Sequence, residues 1–272
     1  MCRMLSEGLA EQIDPYQGLP VLQWAAYDDP GWDFDTFGMA LAERGGRSLE
    51  IGVGAGRLLR RFLAAGLDVE GVDAAPEMLA ACREKALADG LEPVLYQQAM
   101  QDLDLPGLYN TIYVPCGTVA VLASHEQLLE ALRAIRRHLL PGGALVFNTE
   151  PLEQDFTHGG IPTQLPESWV PHVQITVRDG ESLEVERRTA EANAVEQTWR
   201  EERRYTLRRS DGSVVQGPDV HATTLRWSTV AEMRLLLAAS GYVDVSVTTL
   251  DLTTPYGPGY DGPVLFTALQ PS

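Results

Sequence analysis

The stretch between residues 48 and 149 alternates short apolar runs with amphipathic segments. The apolar runs are Ser48–Val53, Leu67–Asp73, Pro93–Gln97, Thr111–Val114 and Ala144–Asn148. Between them, apolar residues recur at the three- and four-residue spacing that gives a helix one buried face. Because strands that alternate with such helices form a parallel sheet covered by the helices, the pattern predicts an α/β unit over residues 48–149.

Local signals mark the ends of two predicted helices. Ser124, with Gln127 three residues later, is a capping box, and the Pro141–Gly143 segment predicts the end of that helix. A second helix begins at another capping box and ends before a glycine. The residues of this second set are Thr229, Glu232 and Gly241. Two predicted strands follow it, over Tyr242–Leu250 and Val264–Leu269.

Residues 150–227 have a different pattern. Asp179-Gly180 and Asp211-Gly212 each stand between extended runs and predict two-residue hairpin turns. The flanking runs are Val173–Arg178, Leu183–Arg188, Thr198–Arg208 and Ser213–Val220. These runs are rich in Glu and Arg, so the sequence predicts an antiparallel meander with at most one buried face. That face would be covered by the sheet's own edge, by a ligand or by a second subunit.

The chain is therefore expected to have four parts. Residues 1–47 form an N-terminal helical cap and residues 48–149 the α/β core. Residues 150–227 are an antiparallel β insertion that covers substrate or contacts a second copy in a homodimer. Residues 228–272 return to the core sheet.

Composition narrows the classes of partner. The 272-residue chain has a formal net charge of −17, which disfavours a nucleic-acid-binding surface. Its cysteines, Cys2, Cys82 and Cys116, have no spacing typical of a disulfide framework or a metal site. No signal peptide and no apolar stretch of membrane-spanning length is visible. We therefore expect a cytoplasmic protein without a metal and without a membrane or nucleic acid partner.

A glycine-rich turn carries the chemistry. The segment from Glu50 to Gly56 has glycine at every second position and lies where the first strand meets the first helix, at the edge where open α/β sheets bind ligands. Gly52 and Gly54 let a ligand lie against the backbone, and Asp73 ends the second strand, where it can accept hydrogen bonds from two ribose hydroxyls. A nucleoside fits this arrangement. A tight turn without a ligand is one alternative, and a nicotinamide or flavin dinucleotide is another, although Arg57 stands where the dinucleotide fingerprint has its third glycine.

These residues resemble the class I S-adenosylmethionine-dependent methyltransferases. The first motif of that family, acidic-x-Gly-x-Gly-x-Gly, is matched in full by Glu50 through Gly56. Gly71–Leu79 resembles the family's ribose-binding segment, and Leu139–Leu145 resembles its corner between a helix and the fifth strand. The resemblance implies a Rossmann-like, seven-stranded mixed sheet with an antiparallel last strand, here carrying the small β insertion. It also implies S-adenosylmethionine as the cofactor.

The resemblance implies a role for each matched residue. Glu50 would orient the glycine loop and reach the methionine amino group, and Asp73 would hold the ribose. Adenine would rely on the Met100 backbone and on apolar contacts, because Ala99 replaces the acid often found there. Cys116 would lie near the methyl group, unless it is a small buried filler. The full set of implied cofactor-binding residues is Tyr27, Trp32, Glu50, Gly52, Gly54, Gly56, Asp73, Ala74, Met78, Ala99, Met100 and Cys116.

The acceptor is the least determined part. The family resemblance extends to small-molecule N- and O-methyltransferases of natural-product biosynthesis, and the acidity of the chain favours N-methylation of an amine. O-methylation of a hydroxyl is the alternative, as are a non-catalytic S-adenosylmethionine-binding protein and a dinucleotide-dependent oxidoreductase. If the acceptor needs a general base, the candidates are Tyr16, His158, His172 and His221. For each of them, a surface or structural role is the favoured alternative.

Overall fold

The structure is a computed structural model of the chain. It describes residues 16–29, 31–149, 168–178, 180–249 and 264–272. No helix in these ranges is long and apolar enough to cross a membrane.

Eleven strands in the described residues form two sheets. In chain order they are β1 Ser48–Ile51, β2 Val69–Asp73, β3 Leu95–Gln97, β4 Tyr109–Val114, β5 Leu139–Thr149, β6 Val170–Arg178, β7 Glu181–Asn193, β8 Thr198–Arg209, β9 Val214–Arg226, β10 Val243–Thr249 and β11 Val264–Leu269. The first sheet has seven strands in the order β3-β2-β1-β4-β5-β11-β10. Neighbouring strands are parallel from β3 to β5, and β11 is antiparallel to both β5 and β10. The predicted fold class, a mixed sheet with an antiparallel last strand, is confirmed.

Helices cover both faces of the seven-stranded sheet. Within the described residues they are α1 Leu19–Ala26, α2 Gly31–Arg44, α3 Arg57–Ala64, α4 Pro76–Ala88, α5 His125–Arg137 and α6 Val230–Ala239. Side chains of α2, α3 and α4 pack with Val69 and Tyr113 in one buried cluster. Side chains of α5 and α6 pack with Ile112, Phe147 and Phe266 in another. This three-layer arrangement leaves the carboxyl ends of β1, β2 and β4 at one rim of the sheet.

The predicted start signals of α5 and α6 are observed. Ser124 Oγ accepts a hydrogen bond of 3.1 Å from the Gln127 amide at the start of α5. At the start of α6, Thr229 Oγ1 accepts from the Glu232 amide at 3.2 Å, and Glu232 Oε2 accepts from the Thr229 amide at 3.3 Å. These three hydrogen bonds satisfy amides that have no partner inside the helix.

The predicted end of α5 is wrong by several residues. The helix ends at Arg137, and β5 already begins at Leu139, so the Pro141–Gly143 segment lies inside the strand. The Tyr109 amide donates to the carbonyl of His138 at 2.8 Å, which draws the chain into the sheet before the proline. Register then shifts between Tyr109–Leu139 and Thr111–Ala144, so the Pro-Gly-Gly segment forms an irregularity of the strand.

The predicted meander is a separate four-stranded antiparallel sheet in the order β6-β7-β8-β9. One face buries Leu183, Val185, Tyr205 and Leu207 against Leu19 of α1. The element that covers this cluster is therefore an N-terminal helix of the same chain, which the sequence did not suggest. Successive side chains of a strand point to opposite faces of the sheet, so this sheet has one apolar and one charged face.

The second predicted hairpin turn is longer than two residues. Arg209 ends β8 and Val214 begins β9, so four residues connect the strands. Asp211 Oδ1 accepts a hydrogen bond of 2.9 Å from the Ser213 amide, and Gly212 has a positive φ of 83°. The Asp211 side chain thus closes a local turn with the Ser213 amide, and this turn needs more residues than a two-residue loop provides.

Arg226, at the end of β9, ties the second sheet to the α/β core. Its side chain is buried. Its guanidinium donates to the Glu196 carbonyl at 2.6 Å, to Gln197 Oε1 at 3.2 Å and to Glu232 Oε1 at 3.1 Å, and it also contacts His125 at the start of α5. The contact network therefore joins the β7–β8 turn, β9, α5 and α6.

Candidate active site

The glycine loop between β1 and α3 lies at the carboxyl rim of the sheet. Gly52, Gly54 and Gly56 have φ values of 72°, 53° and 81°, in the left-handed region that favours glycine. A Cβ at Gly52 would lie 2.7 Å from Cγ2 of Thr118, and one at Gly56 would lie 2.6 Å from Sγ of Cys82. A Cβ at Gly54 would meet no atom within 4 Å. Gly52 and Gly56 are therefore required by packing, whereas Gly54 borders open space at the rim.

Asp73 ends β2 and holds the glycine loop directly. Its Oδ2 accepts a hydrogen bond of 2.8 Å from the Gly54 amide, and its Oδ1 accepts one of 2.9 Å from the Ala75 amide. The residue is half-buried. A carboxylate oxygen can accept more than one hydrogen bond, so the contacts to Gly54 and Ala75 do not by themselves preclude hydroxyl donors at Asp73.

Glu50, at the carboxyl end of β1, is a buried acid. Its Oε2 accepts a hydrogen bond of 2.7 Å from the Tyr113 hydroxyl. The pKa of Glu50 is raised to about 8, mainly by burial and also by the charges of Asp33 and Asp73, which together outweigh the lowering by the Tyr113 hydrogen bond and the charge of Arg57. The site thus contains an acid that would be better satisfied by an ammonium group than by the residues around it.

An ion pair that the sequence did not predict closes the site from the side of α2. Arg57, the first residue of α3, donates through Nη1 to Asp33 Oδ1 at 2.8 Å, and its Nη2 contacts Asp33 Oδ2. The same Nη2 lies 3.2 Å from Sγ of Cys116, which lies 3.6 Å from Asp33 Oδ2. The only sequence signal was Arg57 itself, which replaces the third glycine of the dinucleotide fingerprint. In the structure this arginine has a structural role, because its contacts join α2, α3 and the end of β4.

Cys116 is exposed and is not the buried filler that was the alternative. It follows β4 with a φ of 58°, a conformation that is uncommon outside glycine, and Gly117 follows with a φ of 63°. The Gly117 amide donates to Oδ1 of Asn148 at 3.3 Å. Asn148 is fully buried, and among the residues that the structure describes its Nδ2 has no hydrogen-bond partner. An unsatisfied buried donor thus lies beside the turn that exposes Cys116, a feature that no sequence motif indicated.

The other residues implied for the cofactor lie around this rim with differing exposure. Met78 is buried in α4, and Met100 is buried in a short 3₁₀ turn over Met100–Asp102. Ala99 is half-buried just before this turn, and Ala74 is exposed directly after Asp73. The Met100 side chain belongs to the core cluster, so only its backbone is available for the adenine contact expected from the sequence.

The two aromatic residues of the implied cofactor-binding set lie in the N-terminal segment, Tyr27 directly after α1 and Trp32 in α2. The Tyr27 hydroxyl accepts a hydrogen bond of 3.1 Å from Nε2 of Gln23 in its own helical segment, and the Tyr27 ring meets Trp24 edge-on at 5.7 Å. Trp32 lies in the first turn of α2, one residue before Asp33. These two contacts of Tyr27 are local to α1, and its predicted role stays a prediction.

Three of the four candidate bases lie on the second sheet's inner face, or next to it. His158 lies outside the described residues. Arg203 interacts electrostatically with Tyr16 and with His172, and it stands directly opposite His221 in the β8–β9 register. The structure therefore gathers Tyr16, His172 and His221 around one arginine. This grouping was not visible in the sequence.

Comparison with known proteins agrees with this geometry. A family profile described as a methyltransferase domain matches residues 49–143, which hold the glycine loop, Asp73 and the strands around them. The chain contains an S-adenosylmethionine-dependent methyltransferase domain. The family, the fold class and the cofactor predicted from the sequence are confirmed.

Relatives of the methyltransferase domain include proteins that act on nitrogen. The chain is 37% identical over 105 residues to the phosphatidylethanolamine N-methyltransferase of Cereibacter sphaeroides, across 38% of this chain and 50% of that protein. It is 26% identical over 141 residues to the dTDP-3-amino-3,6-dideoxy-alpha-D-glucopyranose N,N-dimethyltransferase of Streptomyces fradiae, across 51% of this chain and 54% of that protein. The chain thus spans about half the length of the curated relatives it matches.

A solved structure shows how far the fold extends. The S-adenosylmethionine-bound CalS10, an amino pentose methyltransferase from Micromonospora echinaspora, matches with a TM-score of 0.63 and 22% identity. The match covers 90% of this chain and 95% of that chain. The methyltransferase domain and the second sheet therefore belong to one shared architecture.

Proposed function

We propose that the protein transfers the methyl group of S-adenosylmethionine to the nitrogen of a small-molecule amine. The observation that carries the proposal is the rim formed by the glycine loop, Asp73 and Glu50. Gly54 leaves open space there, Asp73 is a half-buried carboxylate at the strand end to which ribose hydroxyls can donate, and buried Glu50 favours a nearby ammonium. These features fit the methionine backbone of the cofactor, its ribose hydroxyls and its ammonium group.

The chain's own residues have a limited set of tasks in this reaction. When bound, S-adenosylmethionine supplies a methyl group on a sulfonium, which is already an activated leaving group. The protein must therefore align the nucleophile and exclude water, rather than provide a covalent catalyst. Asp33 and Arg57 hold α2 against the glycine loop, and Cys116 stands exposed at the end of β4 beside them. We assign these three residues to the wall around the methyl group.

Nitrogen is favoured as the acceptor atom for two reasons. The names of two relatives specify N-methyltransferases, and the solved relative is named an amino pentose methyltransferase. The rim also holds the carboxylates of Asp33 and Asp73, the first of them paired with Arg57 and the second bound to the glycine loop. Such surroundings attract an amine during its approach. The amine must lose its proton before it attacks, so a base would still be useful, and Tyr16, which stood among the candidates, remains one.

The proposal is tested by transfer of a labelled methyl group. The purified chain is incubated with S-adenosylmethionine carrying a tritiated methyl group and with a panel of amino sugars, simple amines, phenols and sugar hydroxyls. We expect label in amines only. Label in hydroxyl compounds alone would establish O-methylation, and binding without any transfer would establish a non-catalytic cofactor-binding protein.

A matched pair of variants links the activity to the rim. Asp73→Asn should weaken S-adenosylmethionine binding roughly 10- to 100-fold, because hydrogen bonds to a charged acceptor are lost. Asp89→Asn makes the same change at an exposed position whose partner is Arg60, and should bind as the unchanged chain does. Equal affinities for the two variants would contradict the ribose assignment. Preference of the chain for NADP over S-adenosylmethionine would contradict the proposed function as a whole.

We further propose the domain limits expected from the sequence, with residues 150–227 as the unit that covers the acceptor. A homodimer contact through that insertion and a cytoplasmic location remain predictions.

A further inference from the structure

The charges of the second sheet follow a rule with one exception. Between β7 and β8, four directly opposed pairs of charged residues have opposite signs. They are Glu181–Arg209, Glu186–Arg204, Arg188–Glu202 and Glu191–Arg200. Arg187 stands directly opposite Arg203 in the same register. Because directly opposed like charges destabilise an antiparallel pair, this arginine pair calls for a compensating group.

The exception lies on the inner face of the sheet, beside the buried apolar cluster. Arg187 follows Val185 by two residues and Arg203 precedes Tyr205 by two, so both arginines share the face of those buried side chains. His221 of β9 stands opposite Arg203 and extends the line. His172, at an irregularity in β6, interacts electrostatically with both guanidiniums. We call these four residues, His172, Arg187, Arg203 and His221, the basic row.

The basic row retains positive charge after its internal contacts are counted. Glu201 accepts a hydrogen bond of 2.6 Å from Nε of Arg203 and offsets that one guanidinium. Arg187 has no carboxylate within ion-pair distance in the part of the chain that the structure describes. The pKa of His172 is lowered to about 4, first by loss of hydration and then by the Arg203 and Arg187 charges, although part of its ring is exposed. This electropositive environment stands out in a chain with a net charge of −17.

The basic row is connected to the cofactor rim through short segments of the same chain. Tyr16 interacts electrostatically with Arg203, and Tyr27 does so with Tyr205. Just beyond Tyr27, the carbonyl of Asp29 accepts a hydrogen bond of 3.4 Å from Nη1 of Arg57 at the glycine loop. The strand β9 also packs against the 3₁₀ turn Thr118–Val121, which follows Cys116 and Gly117. The basic row is thus linked to elements that also border the cofactor rim.

We propose that the basic row binds a phosphate group of the methyl acceptor. The proposal rests on the function proposed above and narrows the acceptor to a phosphate-bearing amine. Two guanidiniums side by side offer the planar, bidentate donors that suit phosphate oxygens. A bound phosphate would also remove the repulsion between Arg187 and Arg203, which explains why a like-charge pair occurs at this register position.

The phosphate is tested by calorimetry with defined probes and without S-adenosylmethionine. Thymidine 5′-diphosphate represents a nucleoside diphosphate, thymidine is its uncharged control, and mixed phosphatidylcholine–phosphatidylethanolamine vesicles represent a lipid headgroup. We expect binding of the diphosphate or of the vesicles, and none of thymidine. The arm that binds identifies the source of the phosphate, and binding in neither arm overturns the proposal.

Two matched variants locate the binding. Arg187→Gln removes an exposed guanidinium of the basic row and should weaken phosphate binding roughly 10- to 100-fold. Arg209→Gln removes an exposed guanidinium from the same face about 20 Å away along β8, six residues at roughly 3.3 Å each. It should leave the affinity unchanged. Equal weakening by both variants would mean attraction by overall charge only and would overturn the proposal.

A second measurement separates the basic row from the methyl-transfer reaction. A phosphate beside His172 should raise the pKa of that imidazole, which proton NMR titration detects with and without thymidine 5′-diphosphate. If the diphosphate binds with no change at His172, the location is wrong. If the diphosphate binds with dependence on Arg187 but no amine is methylated, the proposed function fails and the basic row stands.

Discussion

Replacing Glu50 by glutamine should destabilise the folded chain near pH 4.5 and stabilise it near pH 8. In the folded chain the pKa of Glu50 is about 8, mainly because burial disfavours its charge, whereas the ordinary value is 4.5. Between these two pH values the unfolded chain has lost the proton and the folded chain keeps it. Unfolding then releases a proton, so the free energy of unfolding falls as pH rises.

The magnitude follows from the size of the pKa shift. One pKa unit corresponds to about 1.4 kcal/mol, so the shift of Glu50 costs the folded chain roughly 5 kcal/mol at pH 8 and almost nothing near pH 4.5. Glutamine carries no charge at any pH, and its oxygen can still accept from the Tyr113 hydroxyl. Its buried amide donors cost about 1–3 kcal/mol. Glu50→Gln should therefore stabilise by about 2–4 kcal/mol at pH 8 and destabilise by about 1–3 kcal/mol near pH 4.5.

Urea unfolding at a series of pH values measures both effects. The matched variant Glu70→Gln changes another buried glutamate, one that pairs with Arg47 and accepts from the Tyr109 hydroxyl at 2.7 Å. It should destabilise and leave the fall between pH 5 and 8 in place. A Glu50→Gln variant with the same pH dependence as the unchanged chain would refute the assignment. Saturating S-adenosylmethionine should flatten the fall in the unchanged chain, because an ammonium near Glu50 favours its ionised form.

Three further changes test the remaining parts of the site. Gly54→Ala should still fold, with a loss of about 1–2 kcal/mol from its positive φ, but should bind S-adenosylmethionine at least tenfold more weakly. Gly52→Ala should mainly lose stability, because its Cβ would clash with Thr118. Urea unfolding measures the stability of both variants and calorimetry their binding, and two variants that behave alike would contradict this expectation. Asp33→Asn should cost on the order of 3 kcal/mol by leaving Arg57 without its carboxylate, and hydrogen exchange should speed up in α2 before β1; unchanged exchange in α2 would contradict the role of the pair. Arg226→Met should cost on the order of 3 kcal/mol and make the second sheet more sensitive to limited proteolysis, and a variant as resistant as the unchanged chain would show that other contacts hold that sheet.

Local pattern was sufficient for the elements of the cofactor rim. The strands β1, β2 and β4 are largely buried on both faces, so their apolar residues are not restricted to alternate positions, and their predicted positions agree with the structure to within a few residues. The glycine loop and Asp73 were identified because loop, strand end and ligand-binding edge are close in sequence. Thr229 with Glu232 was equally local, since a capping box needs only four residues.

Contacts between distant segments could not be predicted from one sequence. Asp33 and Arg57 are 24 residues apart, and nothing near either residue indicates the other. The boundary of β5 was missed because the Tyr109 amide, thirty residues away in the chain, determines where the strand begins. The covering of the second sheet by α1 was missed for the same reason. An apolar pattern predicts that a face is buried, but it does not indicate which element covers that face.

The arginine pair shows what the register adds to a charge count. In the sequence, Arg187 and Arg203 are two of many charges in strands rich in Glu and Arg, and the composition suggests only a solvated surface. Once β7 and β8 are aligned, their neighbours pair with opposite charges and these two do not. The cofactor rim around Glu50 is acidic and the basic row is positively charged, so the two places differ in the sign of their charge. The rim suits the positively charged end of S-adenosylmethionine, and the basic row suits an anion, so the two substrates would be sorted by charge before any shape is compared.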